Sequence, residues 1–341
     1  MKPLTASSWR PALWQAELAR AVKDPAELLR MLELGDDLLP QARRAAELFP
    51  LRVPRGFVAR MRTGDAFDPL LLQVLPLGRE LETTPEFSAD PVGDLAAMTV
   101  PGVLHKYHGR VLLVLTGACA VHCRYCFRRH FPYSEANPAT DHWSAALDYI
   151  RADPSISEVI LSGGDPLALS DTRLAELVAQ LDTIPHLQRL RIHTRVPVVL
   201  PERVDDALLH WIAATRLAVV MVLHVNHANE LDAATRTAFA QLERAGARLY
   251  NQAVLLRGIN DSPQALQNLS EALFAARVTP YYLHLLDRVA GAAHFEIPEE
   301  QARLLMDQVQ CRLPGYLVPR LVREHAAAPY KTPVPSVPVS I

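Results

Sequence analysis

From Val111 onward the chain alternates between short apolar runs and amphipathic stretches, with one full repeat about every thirty residues after the first, and this rhythm restricts its fold more than any other feature. The runs VLLVLTG, EVILSGG, LRIHTRV, AVVMVLHVN, LYNQAVLL and PYYLHLLD are rich in Val, Ile and Leu, as strands covered on both faces are. Between them lie WSAALDYIRAD, TRLAELVAQLDTI, ERVDDALLHWIAA, AATRTAFAQLERAGA and SPQALQNLSEALFAAR, whose apolar positions recur at helical spacing. Strand followed by helix, repeated, predicts an α/β fold: a parallel sheet of six β/α units, curled or barrel-like. Ahead of it, PALWQAELARAV, DPAELLRMLEL and PQARRAAELFP predict an accessory helical region. Prolines and glycines between about residues 62 and 104 predict an ordered linker without long elements. After the last strand come a helix from about Glu296 to Val309, the segment GYLVPRLVRE, and a tail, KTPVPSVPVSI, too proline-rich to extend a helix. The expected division is 1–100 for the helical region and linker, 101–290 for the core, and 291–341 for the C-terminal helix and tail.

Composition narrows the function classes. Half of the 341 residues are apolar, and 35 basic against 37 acidic side chains leave a net charge of -2, which excludes a disordered or supercharged chain and supplies no basic surplus for nucleic acid. No apolar run reaches the roughly eighteen residues of a membrane span, and MKPLTASSWRPALW lacks the pattern of a secretory leader, so a soluble, cytoplasmic protein is expected. The lysines are only Lys2, Lys23, Lys106 and Lys331, so chemistry that needs an amine has few candidates. Polar residues gather where the predicted strands end: the cysteines after the first, Gly163, Gly164 and Asp165 after the second, His193 and Arg195 after the third, His224, Asn226 and His227 after the fourth, Asp287 after the sixth. In β/α barrels that end carries the active site.

The sharpest motif is GACAVHCRYCFRRHFPY, which places Cys119, Cys123 and Cys126 within eight residues directly after the first strand. Three thiolates on one loop can hold three irons of a 4Fe-4S cluster and leave the fourth open to an outside ligand. The fourth cysteine, Cys311, is far along the chain in an amphipathic helix and reads as a small buried hydrophobe. A zinc site with His122 or His130 as fourth ligand is the competing reading, although zinc modules usually carry a second ligand pair.

CxxxCxxC after the first strand of a β/α sheet resembles the radical S-adenosylmethionine superfamily, and SGGDPL at 162–167 resembles its glycine-rich turn after strand two. The fold this implies is a partial (β/α)6 barrel of the radical SAM type. RRHFPY, RIHTRVPVVLP, HVNHANE, NQAVLLRGIND, PYYLHLLDRVAGAAHF and KTP narrow the resemblance to the lysine 2,3-aminomutase family over roughly residues 100 to 334. It implies that Lys331 forms the Schiff base with pyridoxal 5'-phosphate, that Arg128 holds the substrate carboxylate, and that Asp287 and Glu324 hold its distal ammonium. It also implies that Gly163, Gly164 and Asp165 serve S-adenosylmethionine, and that His224 and Gln252, with Tyr107 and Arg110, lie near the cofactors. From residue types alone, Asp287 with Arg288 and Glu324 with Arg323 could be surface ion pairs, and Lys331 a solvated lysine.

The activity implied is conversion of L-lysine to (R)-β-lysine by radical 2,3-migration of the amino group, driven by an external one-electron reductant. Longer family members carry an aspartate and a run of glycines before the Schiff-base lysine, whereas this chain has Glu324 and then HAAAPYK. These departures, with the short length and FPLRVPRGFVARM, resemble the bacterial branch that supplies β-lysine to a lysyl-type ligase acting on elongation factor P. Direct action on a lysine residue of that factor, another amino acid or pathway as the target of the same chemistry, and a zinc-binding interaction module are the alternatives. Two carboxylates around the distal group disfavour glutamate as substrate.

Overall fold

The computed structural model describes residues 12–134 and 143–335; the first residues of the leader reading and the last of the proline-rich tail lie outside these. One sheet of ten strands runs through it in chain order. β1 (Met98–Val100), β2 (Val103–Tyr107) and β3 (Arg110–Val114) form an antiparallel meander. From β3 the sheet continues parallel through β4 (Glu158–Ser162), β5 (Arg189–Thr194), β6 (Ala218–Leu223), β7 (Arg248–Val254), β8 (Thr279–His284) and β9 (Arg320–Arg323). β10 (Thr332–Pro333) closes the order antiparallel to β9.

Among the described residues four α-helices precede the sheet: α1 (Leu13–Ala19), α2 (Pro25–Met31), α3 (Leu39–Leu48) and the single turn α4 (Arg55–Val58). The crossover helices are α5 (Ser144–Ala152), α6 (Asp171–Asp182), α8 (Asp206–Ala214), α9 (Ala233–Arg244) and α10 (Pro263–Ala275), with the short turn α7 (Val196–Val199) after β5 and α11 (Glu299–Gln310) before β9. Their starts follow from side chains that satisfy free backbone N–H groups: Asp205 accepts from Leu208, Asp232 from Thr235 and Ser262 from Ala265. The core fills the space between helices and sheet, with Leu174, Leu177 and Leu181 of α6 and Leu266, Leu269 and Leu273 of α10 all buried.

The six expected β/α strands are β3 to β8, so the partial barrel of the radical SAM type stands. Beyond them, β9 is a seventh parallel strand and β1, β2 and β10 flank the sheet. Their sequences, four residues or fewer for three of the four, are too short to show a period. Cys311 is a correction: it is exposed. The apolar face of α11 is Ala302, Leu305, Met306 and Val309, and Cys311 falls past the helix end, off that stripe.

Alternation along the strands decides which side chains face the inside of the curled sheet. In β5, Leu190, Ile192 and Thr194 are buried toward the helices while Arg189, Arg191 and His193 face the other way. In β7, Tyr250, Gln252 and Val254 take that inner face, with Leu249, Asn251 and Ala253 buried behind.

Candidate active site

The three cysteines occupy a chain of tight turns after β3, where Cys126 N donates to the Cys123 carbonyl at 3.0 Å and Arg129 N to the Cys126 carbonyl at 3.2 Å. All three are free thiols, partly accessible. Burial, then repulsion from its neighbours, pushes the Cys126 thiol up to about 11, and Cys119 is raised by the same causes. Cys119 and Cys126 therefore keep their protons near neutral pH until a metal replaces them.

The loop is held from two sides. Gly164 N donates to the Thr116 carbonyl at 2.6 Å and Asp165 N to the Ala118 carbonyl at 2.9 Å. A Cβ on Gly163 would stand 2.6 Å from the Thr116 oxygen, and one on Gly164 2.5 Å from the Ala118 oxygen. Glycine is required there because the backbone of the cysteine loop itself lies against the turn. On the other side the N-terminal region acts as a clamp: His122 N donates to the Arg52 carbonyl, Arg124 N to the Gln73 carbonyl, and buried Arg124 pairs with Glu80.

Asp165 is buried and occupied. Its carboxylate accepts from Leu167 N, Thr194 Oγ1, Arg195 N and Val196 N, tying the end of β4 to the end of β5, while burial raises it to about 6. It shapes the glycine turn from beneath.

Inside the sheet, the rings of His193 and His224 lie 6.2 Å apart, and Gln252 Nε2 contacts His224 Nε2 at 3.0 Å. His284 lies beside Tyr282, ring centroids 5.6 Å apart. Burial and the surrounding cations, Lys331 and Arg128 among them, lower His224 to about 3 and lower His193 as well; burial and Lys331 lower His284. The three imidazoles are neutral near pH 7. Nε2 of both His193 and His284 is buried without a hydrogen-bond partner among the described residues.

Across the mouth runs a ladder of alternating charge. Arg128 Nε donates to Asp94 at 2.7 Å and its Nη1 to Ser162 Oγ at 3.0 Å. Lys106 Nζ stands 2.6 Å from Asp94 and 3.2 Å from Glu324, and Lys331 Nζ is 2.6 Å from the other Glu324 oxygen. Lys106 comes from β2 and Glu324 follows β9, so the ladder joins the two ends of the open sheet. The β9–β10 register explains the last rung: Thr332 faces Arg323, which puts Lys331 opposite Glu324. Burial opposes ionisation of Glu324, but Lys331 and Lys106 overcome it and hold the carboxyl down at about 2. Asp287, with no comparably close cation among the described residues, is pushed up to about 7 by burial and by Glu324. Tyr107 faces Glu324 as well, and the Arg110 guanidinium covers its ring at 4.7 Å.

Arg128, Asp287, Glu324 and Lys331 are thus brought to one mouth, with His224 and Gln252 below and the cysteine loop at its side. The surface pairs do not form: Arg288 pairs with Glu296 and Glu86, and Arg323 lies near Glu299. Sequence reading missed Asp94 and the role of Lys106. The scarcity of lysine was a usable signal for the latter, since two of the four lysines flank Glu324.

The donor sets fit the groups that the resemblance implies. No three His, Cys, Asp or Glu side chains among the described residues converge on a single ion. His122 and His130 are bonded to the carbonyls of Pro50 and Ala290. Three separate thiols on one loop suit a cubane, whose irons each take one ligand. A lysine amine on a basin floored by histidines with unmet hydrogen bonds suits an aldehyde cofactor.

Residues 113–263 match the Radical SAM superfamily. The L-lysine 2,3-aminomutase of Escherichia coli (strain K12) is 50% identical over 322 residues, 94% of each chain. That of Haemophilus influenzae is 48% identical over 319 residues, again 94% of each. That of Clostridium subterminale is 32% identical over 334 residues, 98% of this chain and 80% of that one. The chain belongs to the lysine 2,3-aminomutase family of radical SAM proteins. No helix among the described residues is long and apolar enough to cross a membrane.

Proposed function

We propose that this protein converts L-lysine to (R)-β-lysine, with a 4Fe-4S cluster on Cys119, Cys123 and Cys126, S-adenosylmethionine beside the Gly163–Gly164 turn, and pyridoxal 5'-phosphate on Lys331. The observation that carries this reading is the spread of charge at the mouth: the Arg128 guanidinium at one end of the ladder, and at the other the carboxylate of Glu324 paired with the Lys331 amine, with Asp287 nearby. When bound, the cluster with S-adenosylmethionine would supply a reactive carbon radical, and pyridoxal phosphate an aldehyde that conjugates with the substrate amine. The chain's own residues bind and orient. Arg128 presents a planar fork for a carboxylate, already aligned by Asp94 and Ser162. Glu324 remains ionised at any working pH and Asp287 ionises near neutrality, so together they suit an ammonium. Asp287 is also the group poised to take a proton from an amine near it. The neutral imidazoles of His193, His224 and His284 offer hydrogen bonds without adding charge.

Delivery of the product to a ligase for elongation factor P is the pathway we favour. The chain covers 94% of the Escherichia coli and Haemophilus influenzae relatives and 80% of the longer Clostridium subterminale one, and Glu324 is the departure by which it resembles the short branch. The test is anaerobic incubation of cluster-loaded protein with L-lysine, pyridoxal phosphate, S-adenosylmethionine and a strong reductant, followed by chiral analysis. (R)-β-lysine that the ligase then transfers to elongation factor P is the expected result. Methionine and 5'-deoxyadenosine without β-lysine would mean another substrate.

A further inference from the structure

One buried arginine is aimed at the cysteine loop and the reading above does not use it. Arg195 follows β5, and its Nη1 lies 2.8 Å from Cys123 Sγ and 2.7 Å from the Tyr125 hydroxyl. Its Nη2 donates to Gln73 Oε1 at 2.6 Å and to Glu230 Oε2 at 2.9 Å. Every partner is fixed in turn. Asn226 Nδ2 donates to the Tyr125 hydroxyl and to Gln73 Oε1, and Glu230 Oε1 accepts from the backbone of Asn226 and His227. The Arg195 backbone N–H is held by Asp165. Arg195, Glu230, Gln73, Tyr125 and Asn226 are all buried. A guanidinium anchored at this many points cannot leave the sulfur without breaking a buried network, which costs far more than a surface contact.

The three thiols are not treated alike. The Cys126 sulfur is served by the backbone N–H of Arg128, and the Cys123 sulfur by a charged side chain together with the Tyr125 hydroxyl. We infer that Arg195 is a positioning residue for the cluster, donating a charge-assisted hydrogen bond to the Cys123 thiolate that makes the cluster easier to reduce. Donors to cluster sulfurs and nearby positive charge favour the more negative, reduced state. The Glu230 and Gln73 contacts hold the fork in place, and Tyr125 shares its Nη1. This deepens the radical SAM reading and rests on it.

The experiment is an anaerobic redox titration of the cluster-loaded protein, followed by electron paramagnetic resonance, for the parent and for Arg195→Gln, Arg195→Lys and Tyr125→Phe. Iron content and the parent signal test the cluster itself, separately from the inference. Arg195→Gln should lower the reduction equilibrium about tenfold, about 59 mV for a one-electron couple. Arg195→Lys should move it in the same direction by less, because an ammonium held by Glu230 cannot also reach the sulfur. Tyr125→Phe removes a neutral hydroxyl that also reaches the Cys123 sulfur yet leaves the guanidinium there, so it should move the equilibrium in the same direction by clearly less than Arg195→Gln. An unchanged or raised potential in Arg195→Gln, or an equal fall in Tyr125→Phe, would overturn the inference. Should Arg195→Gln fail to take up iron, an unchanged potential in Arg195→Lys does the same.

Discussion

The two sides of the mouth are built differently. The cysteine side is one contiguous loop gripped by backbone hydrogen bonds, two glycines under close contact and the N-terminal clamp. The Lys331 side is a ladder of five residues, Asp94, Lys106, Arg128, Glu324 and Lys331, spread over more than two hundred positions and joined by side-chain ion pairs, with backbone register fixing only its last rung. A contiguous loop can be held rigid by backbone. Groups that meet only across the open seam of a sheet need charge to bring them together, and the same charges are then available to a zwitterionic substrate.

The contrast can be broken at its strongest points first. Lys331→Ala should abolish β-lysine formation and the pyridoxal absorbance while iron content stays unchanged. Loss of iron in that variant would show that the two sides are not independent. Gly164→Ala should do the reverse and impair cluster loading, because its Cβ would lie 2.5 Å from the Ala118 oxygen and 2.8 Å from Gly117 backbone. Thermal unfolding should register a penalty of about 2 kcal/mol or more, and a variant with parent-like iron and stability would mean that the loop yields easily.

Glu324→Gln removes the one carboxylate shared by Lys106 and Lys331. A loss of about 2 kcal/mol in lysine binding, roughly thirtyfold in KM, is expected from taking a charged partner away from the substrate's distal ammonium, while Lys106 keeps Asp94. Glu324→Asp should recover part of this, since the charge survives.

The smallest effect is a pH limb. Because burial lifts Asp287 to about 7, it is largely neutral at pH 6 and ionised at pH 8. The kcat/KM for lysine should therefore rise through that interval, and Asp287→Asn should flatten the rise. The sign for stability is opposite: a raised carboxyl contributes most below about pH 4, the range of a free aspartate, and that contribution is lost as pH climbs through 7. Chemical denaturation at pH 5 and 8, with and without Asp287→Asn, checks it.

Much of the cysteine side was legible in the chain, because loop, spacing and flanking strand are contiguous in GACAVHCRYCFRRHFPY. The reason for Gly163 and Gly164 was legible only in part: glycine suited close approach, but what approaches is the cysteine loop. Arg128, Asp287, Glu324 and Lys331 were found by resemblance, and no local pattern shows that they share a mouth. Asp94 escaped because nothing around it in DPVGDLAAM distinguishes it from a turn residue. Arg195 was visible as a polar strand end, without a partner.

Six β/α units, the cysteine loop after the first and the glycine turn after the second follow from local period and spacing, which short-range backbone geometry enforces. The charge ladder, the Lys331–Glu324 pairing set by the β9–β10 register, and the guanidinium on Cys123 were decided only by the tertiary fold. Each depends on where distant segments come to lie when the sheet curls, and no local period carries that information.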